Sequence, residues 1–203
     1  MKVGVLALQG AFIEHEKVLN SLGVSCIELR QASDLLKEYD GFILPGGEST
    51  VQGKLLRELD MLDTIKEQIE EKPVLATCAG LILLAKKIEG GEPPHIGVLP
   101  VTVKRNAYGR QLGSFHTTGN VKGIGEVPMT FIRAPYISSV NPDVSVLCEV
   151  DNNIVGVRYK KQMAFSFHPE LDKDLSIHKA FLEMCGEQSV QSTLAAKRRL
   201  FGF

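Results

Sequence analysis

The chain has 203 residues, 44% of them hydrophobic, enough for a large core that needs neither disulfides nor metals to hold it together. A formal net charge of −1 at pH 7 gives no general attraction to nucleic acid or to an anionic membrane. No apolar run reaches the roughly 18 residues of a membrane span, and a strand beginning straight after Met1-Lys2 leaves no room for a secretory signal, so a soluble, cytoplasmic protein is expected.

Val3-Gly4-Val5-Leu6-Ala7-Leu8 is a nearly continuous apolar run, the pattern of a parallel strand covered on both faces. Ala11 to Leu22 has helical spacing: Phe12, Val18, Leu19 and Leu22 make the apolar stripe, Glu14, His15, Glu16 and Lys17 the polar side, and Gly23 the stop. Val24-Ser25-Cys26-Ile27-Glu28-Leu29 and Gly41-Phe42-Ile43-Leu44 read as the next two strands. Helical stretches at Thr50–Leu59 and Leu62–Glu70 precede a fourth strand, Pro73-Val74-Leu75-Ala76-Thr77, after which a turn of small residues opens a helix reaching Ala85. This alternation predicts a three-layer α/β fold, a mostly parallel central sheet flanked by helices. From about residue 93 the style changes. Val98–Asn106, Arg110–Thr118, Met129–Ile132, Val144–Val150, Ile154–Tyr159 and Met163–Phe167 read as short strands between turn formers, hence antiparallel strands added in the second half. Leu175 to Met184 closes as a helix. One domain over residues 1–185 is expected, with 186–203 a C-terminal tail, helical or partly disordered, whose Lys197-Arg198-Arg199 reads as solvated surface.

In open α/β sheets ligands bind beyond the carboxyl ends of the strands, where both Cys78 and Pro45-Gly46-Gly47 fall. Cys78 sits at a strand–helix turn, where backbone N–H groups and the helix dipole favour a thiolate. On the turn alone, a structural buried cysteine fits equally well. Cys26 and Cys148 lie in strand-like segments and read as small buried hydrophobes. The odds at Cys78 are moved by Ser166-Phe167-His168-Pro169-Glu170, ninety positions downstream. Pro169 biases His168 towards extended backbone, and residues at i and i+2 of an extended segment share a face. Glu170 can then fix one ring nitrogen of His168 while the other faces a thiol, a Cys-His-Glu nucleophilic site. His15, His95, His116 and His178 have no comparable partner in the sequence and read as surface or structural. Gly46-Gly47 lets backbone N–H groups approach a ligand closely, so the loop can supply one oxyanion donor from Gly47, with Ala79 N–H giving the second. Ser49 or Thr50 could cap the helix that follows. The loop matches neither phosphate-binding fingerprint.

Taken in order, Pro45-Gly46-Gly47-Glu48-Ser49-Thr50, Thr77-Cys78-Ala79-Gly80 and Ser166-Phe167-His168-Pro169-Glu170 resemble the class I (triad) glutamine amidotransferases, whose fold is flavodoxin-like. Val5-Leu6-Ala7-Leu8-Gln9-Gly10-Ala11, Arg105-Asn106-Ala107-Tyr108-Gly109-Arg110-Gln111 and Phe131-Ile132-Arg133-Ala134-Pro135 bring the chain closest to the family of glutaminase subunits of pyridoxal 5′-phosphate synthase. The resemblance covers about residues 1–185 and leaves the tail outside. It implies hydrolysis of L-glutamine to glutamate and ammonia through a glutamyl thioester on Cys78. It also implies that Gly46, Gly47, Glu48, Arg105, Ile132 and Arg133 hold the substrate, and that no cofactor or metal takes part. Arg105 could pair with the α-carboxylate; for Ile132 and Arg133 the backbone is the expected contact. The implied partner is a barrel-shaped synthase subunit that receives the ammonia and completes the oxyanion hole. The alternatives are a glutaminase serving another pathway, a flavodoxin-like cysteine hydrolase or chaperone, and a regulatory protein that kept the fold. A peptidase assay separates the hydrolases, which would not explain His168-Pro169-Glu170.

Overall fold

The computed structural model describes residues 1–105 and 113–187. The expected strand ends around Asn106 and Arg110, most of the segment Arg105–Gln111, and the tail beyond 187 lie outside the described residues.

Five strands build the parallel half of the sheet: β1 (Lys2–Leu6), β2 (Ser25–Leu29), β3 (Gly41–Leu44), β4 (Val74–Thr77) and, from far along the chain, β12 (Gln162–Phe165). Between them lie β5 (Ala85–Ile88), β6 (Leu99–Lys104), β7 (Ser114–Val121), β8 (Gly125–Ile132), β9 (Tyr136–Val140), β10 (Ser145–Val150) and β11 (Asn153–Tyr159). Among the described residues ten strands join in one sheet of order β2-β1-β3-β4-β12-β11-β9-β6-β5, with β10 also on β11, while β7 and β8 pair as a separate hairpin. The α-helices among the described residues are α1 (Phe12–Ser21), α2 (Ser49–Glu58), α3 (Leu62–Glu71), α4 (Ala79–Leu84) and α5 (176–187).

The strands β3, β4 and β12 are buried throughout because they lie mid-sheet with core on both faces. Alternate side chains divide between two clusters. Phe42, Leu44, Val74, Ala76 and Ala164 pack with Leu56 and Ile65 of the α2–α3 side. Ile43, Leu75, Met163 and Phe165 pack with Leu19 of α1 and Phe181 of α5. Each fully buried Val, Leu, Ile, Phe or Met side chain among them contributes about 1.5–3 kcal/mol.

Four expectations change. The stretch that closes with Phe165 pairs antiparallel with β11 as expected, but its other edge joins the parallel half: β12 lies beside β4 with Phe165 opposite Thr77. Helix α4 ends at Leu84, and Ala85 enters β5, which pairs parallel with β6. A strand at Tyr136–Val140 bridges β6 and β11, although Pro135 and the Ser138-Ser139 pair hide its alternation. Finally, α2 starts at Ser49 with Glu48 as its cap residue and no side-chain capping bond, so neither Ser49 nor Thr50 caps it.

Candidate active site

Because β4 and β12 end level with each other, their C-terminal extensions leave the sheet side by side. Cys78 N–H bonds Phe165 C=O at 2.8 Å, and the backbone then turns sharply, with φ +47° at Cys78. A left-handed conformation in a non-glycine residue is costly, of order 1–3 kcal/mol, and places the thiol outward from the strand end. Ile82 N–H returns to Cys78 C=O at 3.3 Å, so α4 starts at once. At six residues, α4 offers the thiol its first-turn N–H groups more than a developed macrodipole.

Three residues beyond β12, His168 N–H is held by Thr130 C=O of β8 at 2.8 Å. Pro169 then opens a single 3₁₀ turn, Pro169–Leu171. The His168–Glu170 contact is therefore made through that turn rather than along an extended segment, and His168 Nδ1 lies 2.7 Å from Glu170 Oε1. Cys78 and the ring line the same cavity, near enough for the thiol to act on the ring's charge. Burial opposes charge on His168, but the Cys78 thiol, the hydrogen bond to Glu170 and the field of both groups outweigh it, lifting the imidazole from 6.5 to about 10. Glu170 is also opposed by burial, yet His15, His168 and its own backbone N–H hold its carboxyl below the ordinary value. The other three thiols are pushed up: Cys26 to about 11 by burial and then Glu16, Cys148 and Cys185 to about 12 by burial and then Glu149 and Asp40. Cys148 is buried as expected, whereas Cys26 stays partly exposed.

A cavity of about 160 Å³ opens over Cys78 and His168, walled by Gln9, Gly47, Glu48, Ser49, Ile82, Arg105, Ile132 and Arg133. That falls below the roughly 300–1,000 Å³ of drug-sized sites and suits a substrate the size of one amino acid. Of the expected substrate residues, only Gly46 is off the cavity wall. It packs behind the His168 ring, where an added Cβ would stand 2.3 Å from His168 Cε1, so no larger residue fits. Its carbonyl accepts Ala11 N–H at 3.0 Å and its N–H is donated to Thr77 Oγ1 at 3.1 Å. Arg105 reaches the wall already paired with Glu92, 2.6 Å away. Arg133 closes on Glu48 at 3.2 Å, and Ile132 C=O lies 3.9 Å from Cys78 Sγ.

Several site residues went unread in the sequence. Gln9 accepts the Glu48 N–H at 2.8 Å through Oε1. Ser49 lines the cavity with a buried hydroxyl that has no partner among the described residues. His15 and His178, expected at the surface or as isolated structural groups, are both fully buried, and His15 contacts Glu170. A histidine on the polar side of α1's sequence pattern carried no signal of this, because the turn that packs on α1 lies over 150 positions away.

A family model described as the SNO glutamine amidotransferase family matches residues 5–187. The chain is 61% identical over 184 residues to the pyridoxal 5′-phosphate synthase subunit PdxT of Desulfitobacterium hafniense (strain DSM 10664 / DCB-2), covering 90% of this chain and 92% of that protein. It is 55% identical over 192 residues to the PdxT subunit of Streptococcus pneumoniae (strain CGSP14), covering 93% and 99%. A solved structure described as a glutamine amidotransferase superposes with a TM-score of 0.86 at 45% identity, covering 91% of this chain and 98% of that one.

Proposed function

Since the chain belongs to the SNO glutamine amidotransferase family, we propose that it hydrolyses L-glutamine to glutamate and ammonia through Cys78, His168 and Glu170, as the glutaminase subunit of a pyridoxal 5′-phosphate synthase. The observation that carries this reading is the level ending of β4 and β12, beyond which a thiol and an imidazole share the wall of an amino-acid-sized cavity and a carboxylate holds the imidazole from behind. Residues 1–185 act as one domain, an assignment supported by the continuity of the sheet. No disulfide joins any of the four cysteines, which favours a reducing, cytoplasmic setting.

His168, lifted to about 10 and oriented by Glu170, holds the proton given up by Cys78, and the thiolate attacks the carboxamide carbon. The oxyanion that develops is met by the N–H groups of Gly47 and Ala79; Ala79, as the first residue of α4, has no acceptor for its N–H within the helix. His168 returns the proton to the departing ammonia, leaving a glutamyl thioester. Water, deprotonated by the same imidazole, then releases glutamate. Arg105, with the backbone at Ile132 and Arg133, holds the α-carboxylate, and Glu48 the α-ammonium group. Glu92 already neutralises Arg105, so substrate binding exchanges or shares that ion pair.

The ammonia passes to a barrel-shaped synthase subunit. The Gly46 carbonyl is tied to Ala11 N–H, and in a trans peptide this sets the Gly47 N–H antiparallel to it. Docking of the synthase acts on that peptide to complete the oxyanion hole. Glutamine hydrolysis measured with and without the synthase tests both parts. Expected is a low basal rate and an increase in kcat, with KM changed less, because a restored oxyanion donor acts mainly on the transition state. A full basal rate indifferent to synthase removes the activation, and no hydrolysis under either condition removes the glutaminase.

A further inference from the structure

Behind Glu170, away from the cavity, His15 of α1 and His178 of α5 form a fully buried pair with His15 Nδ1 3.0 Å from His178 Nε2. The other nitrogen of His15, Nε2, faces two groups: Thr77 Oγ1 at 3.2 Å and Glu170 Oε2 at 3.4 Å. Glu170 Oε2 is buried with no hydrogen bond of ordinary geometry among the described residues. Thr77 Oγ1 already accepts the Gly46 N–H. One imidazole thus touches both the carboxylate behind the base and the hydroxyl beneath the glycine loop.

The neighbours decide the tautomers. A bare Nε2 on His15 would turn a lone pair towards a carboxylate and oblige His15 to donate through Nδ1. That would leave an N–H on His178 Nδ1, which has no partner among the described residues. With the proton on His15 Nε2, both faults vanish: His178 Nε2–H donates to His15 Nδ1, and the unpartnered atom is only a lone pair, the cheaper orphan. Burial keeps the proton count at one per ring. His15 is held below its ordinary value by burial, with His168 adding to that and Glu170 and Glu14 opposing it. His178 is lowered by burial and His15, with Glu170 opposing. The His15–Glu170 contact is then an N–H dipole facing an anion, not an ion pair between charged groups.

We infer that His15, braced by His178, is a positioning residue of the glutaminase reaction, its Nε2–H fixing the Glu170 carboxylate and, through Thr77, the Gly46 loop against the His168 ring. This rests on the triad reading above and deepens it. A carboxylate with one oxygen on His168 and the other facing a fixed N–H can neither rotate nor take up a proton cheaply, so His168 stays oriented and charged when Cys78 needs it.

The test measures glutamine hydrolysis with synthase saturating, and separately the iodoacetamide labelling of Cys78 in the free chain from about pH 5 to 9, read by mass spectrometry. The raised thiols of Cys26, Cys148 and Cys185 keep the labelling signal clean. His15→Leu should lower kcat about tenfold or more with KM within about twofold. It should also narrow the pH profile from both sides, as Glu170 gains a proton sooner on the acid limb and His168 loses its own sooner on the alkaline limb. His15→Gln, whose amide nitrogen can stand where Nε2 stands, should recover most of the rate and width. His178→Leu should fall between them, and carries the same comparison if His15→Leu melts early. Labelling at neutral pH should follow the same order. A well-folded His15→Leu with wild-type kcat and pH profile overturns the inference, and so do equal losses in His15→Leu and His15→Gln. If wild type fails to hydrolyse glutamine while labelling keeps this order, the positioning role stands and the glutaminase reading falls. Labelling indifferent to His15 removes the positioning role in any case.

Discussion

At Cys78 the chain accepts a backbone conformation that L-residues avoid, φ +47°, in a strand–helix connection of one residue. That strain is what lifts the thiol out of the sheet end towards His168. Replacing Cys78 by Ala keeps the Cβ and the turn but removes the proposed nucleophile. We expect Cys78→Ala and His168→Asn each to cost roughly 10⁴–10⁶-fold in kcat, and Glu170→Gln about 10–100-fold less than that, because an orienting group contributes less than a nucleophile or base. Retained hydrolysis by Cys78→Ala, measured with synthase present, would place the nucleophile elsewhere. The two ends of this site were legible in sequence because each carries a short-range signature: small residues around Cys78, and proline between His168 and Glu170. His15 was not. Its partners Thr77, Glu170 and His178 come from three separated segments, and nothing within the helix period marks a histidine as buried.

At the scale of elements, what sequence periodicity missed was pairing rather than existence. β12 is readable as a strand, but only long-range register puts it beside β4, and this adjacency assembles the site. The close fit of α4 on β3 is a further consequence of the one-residue connection. A Cβ on Gly80 would lie 2.1 Å from Leu44 C=O, a backbone atom that cannot swing aside. Gly80→Ala should therefore push α4 off the sheet and destabilise the protein by about 1–3 kcal/mol, read as a lower urea midpoint at unchanged slope. It should also reduce kcat by displacing Ala79 N–H. A Gly80→Ala variant as stable as wild type would mean that α4 is held less firmly than its packing indicates.

For the molecule as a whole, the buried histidines set the response to acid. Burial keeps His15 below 6.5, and takes His178 down to about 3, so in the fold both take up their protons later on acidification than in the unfolded chain, where uptake begins near 6.5. Stability should fall with pH across that window, by about 1.4 kcal/mol per pH unit for each histidine that remains neutral. His168, raised to about 10, acts in the opposite sense: its contribution is complete below 6.5 and fades as pH rises towards 10. The lowered carboxyl of Glu170 contributes above its usual value of 4.5 and loses that contribution as pH falls. His178→Gln should flatten the acid slope by about one proton between pH 6.5 and 4.5, measured by urea titration at several pH values. An unchanged slope would mean that His178 is protonated in the fold. No helix among the described residues is long and apolar enough to cross a membrane.

The hairpin β7–β8 stands apart from the ten-stranded sheet, yet its Thr130 carbonyl holds the His168 amide. That amide proton is thus a built-in gauge. Its exchange with deuterated solvent requires the hairpin to lift from the segment bearing His168, so the protection of one backbone site times the seating of a whole structural unit, in a protein whose chemistry need not be running at all.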